Sequence, residues 1–273
     1  MKTRPSRILK LLNDGQYPTT LKINLSDPRV IEAAALCGVD AVWLCHEHVP
    51  NDWLSLENQI RAARIHNIDT MVRVGRGSYS DYIRPFEADA TGIIVPHVAS
   101  EAEARQIVEW VRFYPVGKRA LDGGNIDGQF CLLSTDEYLK HSNEERIVVL
   151  QIESPEALEQ VEKIAAVPGF NGILFGPGDF SHRIGKAGHL DDPQVVAARK
   201  RVGAACKANG KFAMTAGLIA PLEDLIEEGY HVINIGADVV AQTTYVTQRL
   251  ELVRGKIGEL PAKLKPATRS PYT

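Results

Sequence analysis

Eight short runs of β-branched or otherwise apolar residues alternate with amphipathic stretches from residue 19 to about 256, and this alternation constrains the fold more than any other feature. The runs are TLKINL (20–25), AVWLCH (41–46), TMVRV (70–74), GIIVPHV (92–98), RIVVLQIE (146–153), GILFG (172–176), KFAMTA (211–216) and HVINIG (231–236). Several are almost continuously apolar, as strands covered on both faces must be. Between them lie DPRVIEAAALCG, SEAEARQIVEWVRF, SPEALEQVEKIAAV, DPQVVAARKRVGAACKANG and PLEDLIEEG. These start with Asp, Ser or Pro and often end with Gly, the punctuation of helices. Strand and helix in turn, joined by right-handed crossovers, make a parallel sheet, and eight such units close into an α/β fold of the (β/α)8 TIM-barrel type. A doubly wound open sheet is the alternative, disfavoured because no GxGxxG follows the first run.

The expected organisation is a single domain over residues 1–273, with the barrel core at about 19–256 and a C-terminal arm or tail at 257–273. Thirty-one Lys+Arg against 34 Asp+Glu leave a formal charge of -3, which excludes the basic surface that nucleic acid requires. No run approaches the roughly 20 apolar residues of a membrane span, and MKTRPSRILKLLNDGQYP lacks the apolar centre of a signal peptide. A cytoplasmic protein with no membrane role is the expectation. The four cysteines, Cys37, Cys45, Cys131 and Cys206, show no CxxC spacing, so reduced thiols are expected, with Cys37 and Cys206 as core filler on helices. Roughly thirty residues, beginning at YPVGKRALDGG, separate the fourth helix from the fifth strand, a length that implies a functional loop or a helix of its own.

Barrel enzymes carry their chemistry where strands end. The second run ends in Cys45, His46, Glu47 and His48, the third carries Arg73, the fourth ends at His97, the fifth at Gln151 and Glu153, and the sixth enters GPGDFS with Asp179. Runs one, seven and eight end mostly in small or neutral residues. Glu153 and Asp179 are 26 positions apart, one βα unit, so adjacent parallel strands bring both carboxylates within reach of one ion. Two carboxylates without a Cys or His partner suit a hard divalent cation. The residues alone leave other roles open: Glu153 is also placed to start the helix at SPEALEQ, FGPGDFS to cradle a phosphate, and Arg73 to pair with a buried acid.

The same segments resemble the HpcH/HpaI family of metal-dependent pyruvate aldolases over nearly the whole barrel. GVDAVWLCHEHVPND is similar to the family's GFDW…DxEHxPND, MVRV to its arginine strand, IIVPHVASEAEARQIV to its PMV unit, YPVGKRA to PPxGxRG, VLQIES to QVES, and GPGDFS to GPxDLS. Six motifs in order are more specific than any one of them. The resemblance implies a class II aldolase that cleaves or forms a C–C bond in a 2-oxo acid through a pyruvate enolate. It implies Glu153 and Asp179 as ligands of Mg²⁺, Mn²⁺ or Co²⁺, and Arg73 as the cation facing the enolate oxygen. Backbone N–H groups of Gly178 and Asp179 would grip the substrate carboxylate, Gln151 a substrate oxygen, and His48 would be the base, supported by Glu87. The implied partners are a pyruvate-like 2-oxo acid and an aldehyde, in a homohexamer built as a trimer of dimers that exchange the helix DVVAQTTYVTQRLELVRGKI.

Two departures matter. Cys45 stands where the family motif has aspartate, which removes a fixed negative charge near His48 unless the thiol is acidified, and GKRALDGG replaces a glycine-rich loop where the substrate's far end would lie. His46 and His97 are candidates to line that acceptor pocket. The alternatives are decarboxylation or citrate-type condensation on the same apparatus, and an oxoacid-binding barrel with weak or no catalysis.

Overall fold

The computed structural model describes residues 3–259, 261 and 264. A short helix α1 (Arg7–Asn13) precedes β1 (Thr19–Lys22), α2 (Pro28–Leu36), β2 (Ala41–Cys45), α3 (Trp53–Ile65), β3 (Asp69–Arg73), α4 (Tyr79–Glu87), β4 (Gly92–Val95) and α5 (Glu101–Val111). The long fourth connection carries a 3₁₀ turn (Ile126–Gly128) and its own helix α6 (Thr135–Glu145). Then follow β5 (Ile147–Ile152), α7 (Pro155–Glu159), α8 (Val161–Ala166), β6 (Gly172–Phe175), α9 (Pro177–Arg183), α10 (Pro193–Ala208), β7 (Phe212–Thr215), α11 (Leu222–Glu227), β8 (Ile233–Ala237) and α12 (Asp238–Glu259). Asp27, Ser100, Ser154 and Asp192 each accept a backbone N–H at a helix start, the caps that the sequence places there.

All eight strands are parallel, in the order β7-β6-β5-β4-β3-β2-β1-β8. The ring is drawn together beside β7, where Ala213 N–H donates to Gly229 O and His231 N–H to Ala213 O, each at 3.1 Å. Alternation along each strand divides the core in two. Val42, Leu44, Val72, Ile93, Val148, Leu150 and Ile173 face the helices. Ala41, Trp43, Met71, Ile94, Ile147, Val149, Leu174, Phe212 and Met214 fill the barrel, and Ile8 of α1 joins them. Cys45, Arg73 and Gln151 continue that inward period at the C-terminal ends, and register sets Cys45 opposite Arg73. One rhythm therefore supplies both the packed interior and the polar mouth above it.

The N-terminal end is closed by a satisfied charge. Asp69, fully buried, accepts from Ser6 Oγ (2.8 Å), Ile8 N (2.9 Å) and Arg4 Nη1 (2.9 Å). Cys206 is core, as expected, and burial pushes its thiol up to about 12. Cys37 is not: it ends α2 on the solvent side and is exposed. Among the described residues no helix is long and apolar enough to cross a membrane. Most of the expected tail at 257–273 lies outside the described residues.

Candidate active site

Four consecutive strand ends, β2 to β5, bring one connected set of charged groups into the barrel mouth. Arg73 leaves β3 buried, its Nη2 donating to Cys45 Sγ at 3.2 Å and its Nε 2.9 Å from Glu47 Oε2. Its guanidinium carbon lies 5.1 Å from the centroid of the Trp43 ring below it. Carboxylate, thiol and indole together fix a cation that an apolar strand end could not otherwise hold.

Glu47 Oε1 also stands 3.0 Å from His97 Nε2, and His97 Nδ1 stands 2.6 Å from Glu153 Oε1. His97 reaches this position from a left-handed backbone (φ 57), which turns its amide N–H onto the same Glu153 oxygen at 2.8 Å. A non-glycine residue held there is strained, and such strain gathers at sites. Gln151 Nε2 donates to the other Glu153 oxygen. A Cβ at Gly176 would come within 2.9 Å of that oxygen, so the glycine keeps the sixth strand end clear of the carboxylate. At Gly178 a Cβ would meet nothing.

Glu153 is 1 % exposed. Burial drives its carboxyl above the usual range, the nearby charge of Asp179 adds to this, and the Gln151 and His97 contacts only partly oppose it. Two mutually repelling carboxylates are an arrangement that a cation relieves. The buried Gln151 Oε1 has no hydrogen-bond partner. This oxygen donor set fits a hard divalent cation. Among the described residues no group of three His, Cys, Asp or Glu side chains is arranged to hold a metal ion. His97 corrects the expectation of a carboxylate pair without a histidine neighbour.

Cys45 sets a thiol beside the Arg73 guanidinium. Burial pushes this thiol up, yet the Arg73 charge and hydrogen bonds from Arg73 and the His48 and Glu47 amides outweigh it, leaving Cys45 below the ordinary thiol range. The His48 amide reaches Sγ at 3.3 Å.

His48 and Glu87, expected to act together, each stand beside another charged group. The His48 ring, 60 % exposed, lies 3.5 Å from Glu47 Oε2. Glu87, at the end of α4, lies 3.9 Å from Arg119 Nη2, and burial raises its carboxyl. The carboxylate beside His48 within the chain is thus Glu47, two residues past a strand end, where a tight turn favours contact with a sequence neighbour. His46 packs on Trp53 with ring centroids 4.6 Å apart. Arg119 of the GKRA loop is buried on Asp127 (3.1 Å) and Tyr138 (3.3 Å), a structural placement.

Sequence reasoning passed over Glu47 and Lys22. Lys22 is the last residue of β1, not mid-strand, so the first strand does not end in a neutral residue. Its Nζ lies 5.6 Å from the Trp43 ring centroid. The inward period from the buried Thr20 was the available signal.

Residues 19–243 match the family described as HpcH/HpaI aldolase/citrate lyase. A hydroxypyruvate/pyruvate aldolase of Pseudomonas aeruginosa is 30% identical over 262 residues, covering 94% of this chain and 95% of that protein. A 2-keto-3-deoxy-L-rhamnonate aldolase of Klebsiella pneumoniae is 27% identical, covering 88% and 90%. Among solved structures, citrate synthase SbnG superposes with a TM-score of 0.84 at 27% identity, covering 94% of this chain and 100% of that one.

Proposed function

Because the chain belongs to the HpcH/HpaI aldolase/citrate lyase family, we propose that it is a divalent-metal-dependent class II aldolase acting on a pyruvate-like 2-oxo acid and an aldehyde. The observation that carries this is the chain of contacts from Arg73 through Glu47 and His97 to Glu153 across the ends of β2 to β5, with the Asp179 charge felt at Glu153. Glu153 and Asp179 would hold Mg²⁺, Mn²⁺ or Co²⁺, which would supply a Lewis acid to the 2-oxo carbonyl. Arg73, locked by Glu47, Cys45 and Trp43, presents a fixed positive charge where enolate charge develops, without reorganising at the moment of reaction. Gln151 orients a substrate oxygen, and the first-turn N–H groups of Gly178 and Asp179 receive the substrate carboxylate. His48 takes the hydroxyl proton through a water and returns it in the reverse direction, with Glu47 beside its ring.

The relatives named as aldolases support this reaction, and the likeness to SbnG supports citrate-type condensation at the same residues as a second reading. Purified protein with Mg²⁺, Mn²⁺ or Co²⁺, pyruvate and a panel of aldehydes tests the first reading by condensation that EDTA stops. Oxaloacetate consumed without any aldehyde condensation would displace it in favour of the second. Free cysteines fit a reducing, cytoplasmic setting. Every residue of α12 from 240 to 259 is exposed, including Val240, Tyr245, Val246, Leu250, Val253 and Ile257. Apolar side chains on a helix that, among the described residues, leaves them uncovered support assembly through it, as a hexamer made of three dimers, and light scattering reads that mass.

A further inference from the structure

At the opposite end of the strands from the mouth, where β6, β7 and β8 begin, the surface holds a cavity of about 420 Å³. Leu9 and Leu12 of α1, with Phe212, give it an apolar wall, and Lys207, Lys211 and His231 stand around it. No residue that lines it is acidic. Next to it the buried Arg112 donates to backbone carbonyls and, at 2.7 Å, to Asn171 Oδ1, with no carboxylate among its acceptors. The Val148 amide takes the same Asn171 oxygen, which leaves this lining residue only its NH₂ group to offer. Lys211 Nζ donates to Phe170 O at 2.9 Å, and Lys207, exposed, has no hydrogen bond or ion pair among the described residues. Burial lowers the Lys211 ammonium from the usual lysine range, with Cys206 opposing and the Arg112 charge adding, while burial and then the Lys207 charge lower the His231 imidazole. No carboxylate counters either shift.

This end of a barrel ordinarily serves stability. Asp69, at the start of β3, shows the structural solution there, a buried charge matched within the chain. Around the cavity the positive charges are left unmatched, a cost that a bound anion removes. Two ammonium groups and an amide NH₂ present donors alone, which suits the acceptor oxygens of a phosphate. Two cations also match a phosphate charge of about −2 better than the single charge of a carboxylate. The volume falls within the range of small-molecule sites, about 300–1,000 Å³, and the apolar wall receives more than the anion itself. We propose that this cavity is a binding site, separate from the barrel mouth, for a phosphate monoester with an apolar or aromatic body, the phosphate held by Lys207, Lys211 and Asn171 and the body by Leu9, Leu12 and Phe212.

Calorimetric titration of the full-length protein with phenyl phosphate, inorganic phosphate and benzoate tests the site. Phenyl phosphate should bind saturably and about tenfold more tightly than either of the others, since only it supplies both the dianion and the apolar body. Lys207→Met, at an exposed position that leaves the fold intact, should weaken it about tenfold, the strength of one charge-assisted hydrogen bond, and Lys207→Arg should keep most of the affinity. Lys211→Met should act in the same direction. Saturating pyruvate with Mg²⁺ should leave the affinity unchanged, because it addresses the other end of the barrel. No saturable binding, an affinity equal to that for inorganic phosphate or benzoate, or one that both lysine variants leave unchanged would overturn the site. Displacement by pyruvate would put the anion in the mouth and overturn it equally.

Discussion

Strand β3 carries one charge at each end, and the two ends are built by opposite rules. At its start, Asp69 is fully buried and accepts from Arg4, Ser6 and the Ile8 amide, with Arg4 Nε alone among these groups lacking a partner. Four residues later, Arg73 is nearly as buried, yet its Nε and the facing Glu47 Oε2, 2.9 Å apart, are misaligned for a hydrogen bond, and His97 Nδ1, Gln151 Oε1 and Trp43 Nε1 share that unsatisfied state. A satisfied buried network locks a fold, whereas an unsatisfied one spends stability that ligands can return. The lower end thus reads as structure and the upper end as function, on a single strand. This follows the division of labour in (β/α)8 barrels.

The sharpest way to break that contrast is Glu153→Ala. Removing the buried carboxylate should cost about a thousandfold or more in metal-dependent kcat, since the cation's several kcal/mol of transition-state stabilisation depend on it. The thermal midpoint should hold or rise, because a desolvated acid beside the Asp179 charge is gone. Turnover at the wild-type level would remove Glu153 from the ligand set.

At the other end, Asp69→Ala should reverse the pattern. It strands Arg4, the Ser6 hydroxyl and the Ile8 amide, and a loss of about 3 kcal/mol in urea unfolding is expected. The fraction that stays folded should keep its kcat. A fall in kcat with unchanged stability would mean that the lower network reaches the mouth, and the comparison would fail.

A smaller effect at the same end appears with pH. His141 of α6 is buried, and burial, then the Arg146 charge, lowers its imidazole to about 4. The unfolded chain protonates it near the ordinary value of about 6.5 while the folded chain refuses the proton. Its contribution is therefore whole above about 6.5 and declines as pH falls toward 4, at no more than about 1.4 kcal/mol per pH unit. Unfolding midpoints measured between these limits should flatten in His141→Gln. An unchanged slope would show that the carboxylates alone set the acid limb.

The barrel was legible because its rule is local: inward and outward positions are both apolar, so each strand stands out as a run, and Ser or Asp caps mark the helices. The acids and Arg73 were legible for a related reason, being costly residues at the ends of apolar runs. What escaped depended on where a run stops. TLKINL reads as a strand through Leu25, but β1 ends at Lys22, because Asn24 and Leu25 turn their amides onto Asp238, more than two hundred residues away. Glu87 was given to His48 by the resemblance, and no motif reveals that Arg119, from the next βα unit, lies beside it. The His97 ring meets Glu47 from a left-handed backbone, a state that sequence does not announce.

The smallest expected effect belongs to Cys45, where the two ends of β3 differ by a sulfur. Arg73 needs a negative neighbour across the strand, and Cys45 supplies one in part: fully buried, it takes the Arg73 Nη2 and His48 N–H donors, and its thiol lies below the ordinary range. Depressed ionisation makes its contribution complete above about 9, the ordinary thiol value, and lost as pH falls through the lower folded value. Cys45→Asp makes that charge permanent at neutral pH and should raise aldol kcat/KM about three- to tenfold, while removing the thiol-dependent rise with pH. Cys45→Ser keeps the size, abolishes the ionisation and should lower kcat/KM about as much as Asp raises it. The pair separates charge from sulfur: if Cys45→Asp is slower than the wild type across the pH range, the thiol is fitted to a task that negative charge does not perform, and Arg73 is held chiefly by Glu47.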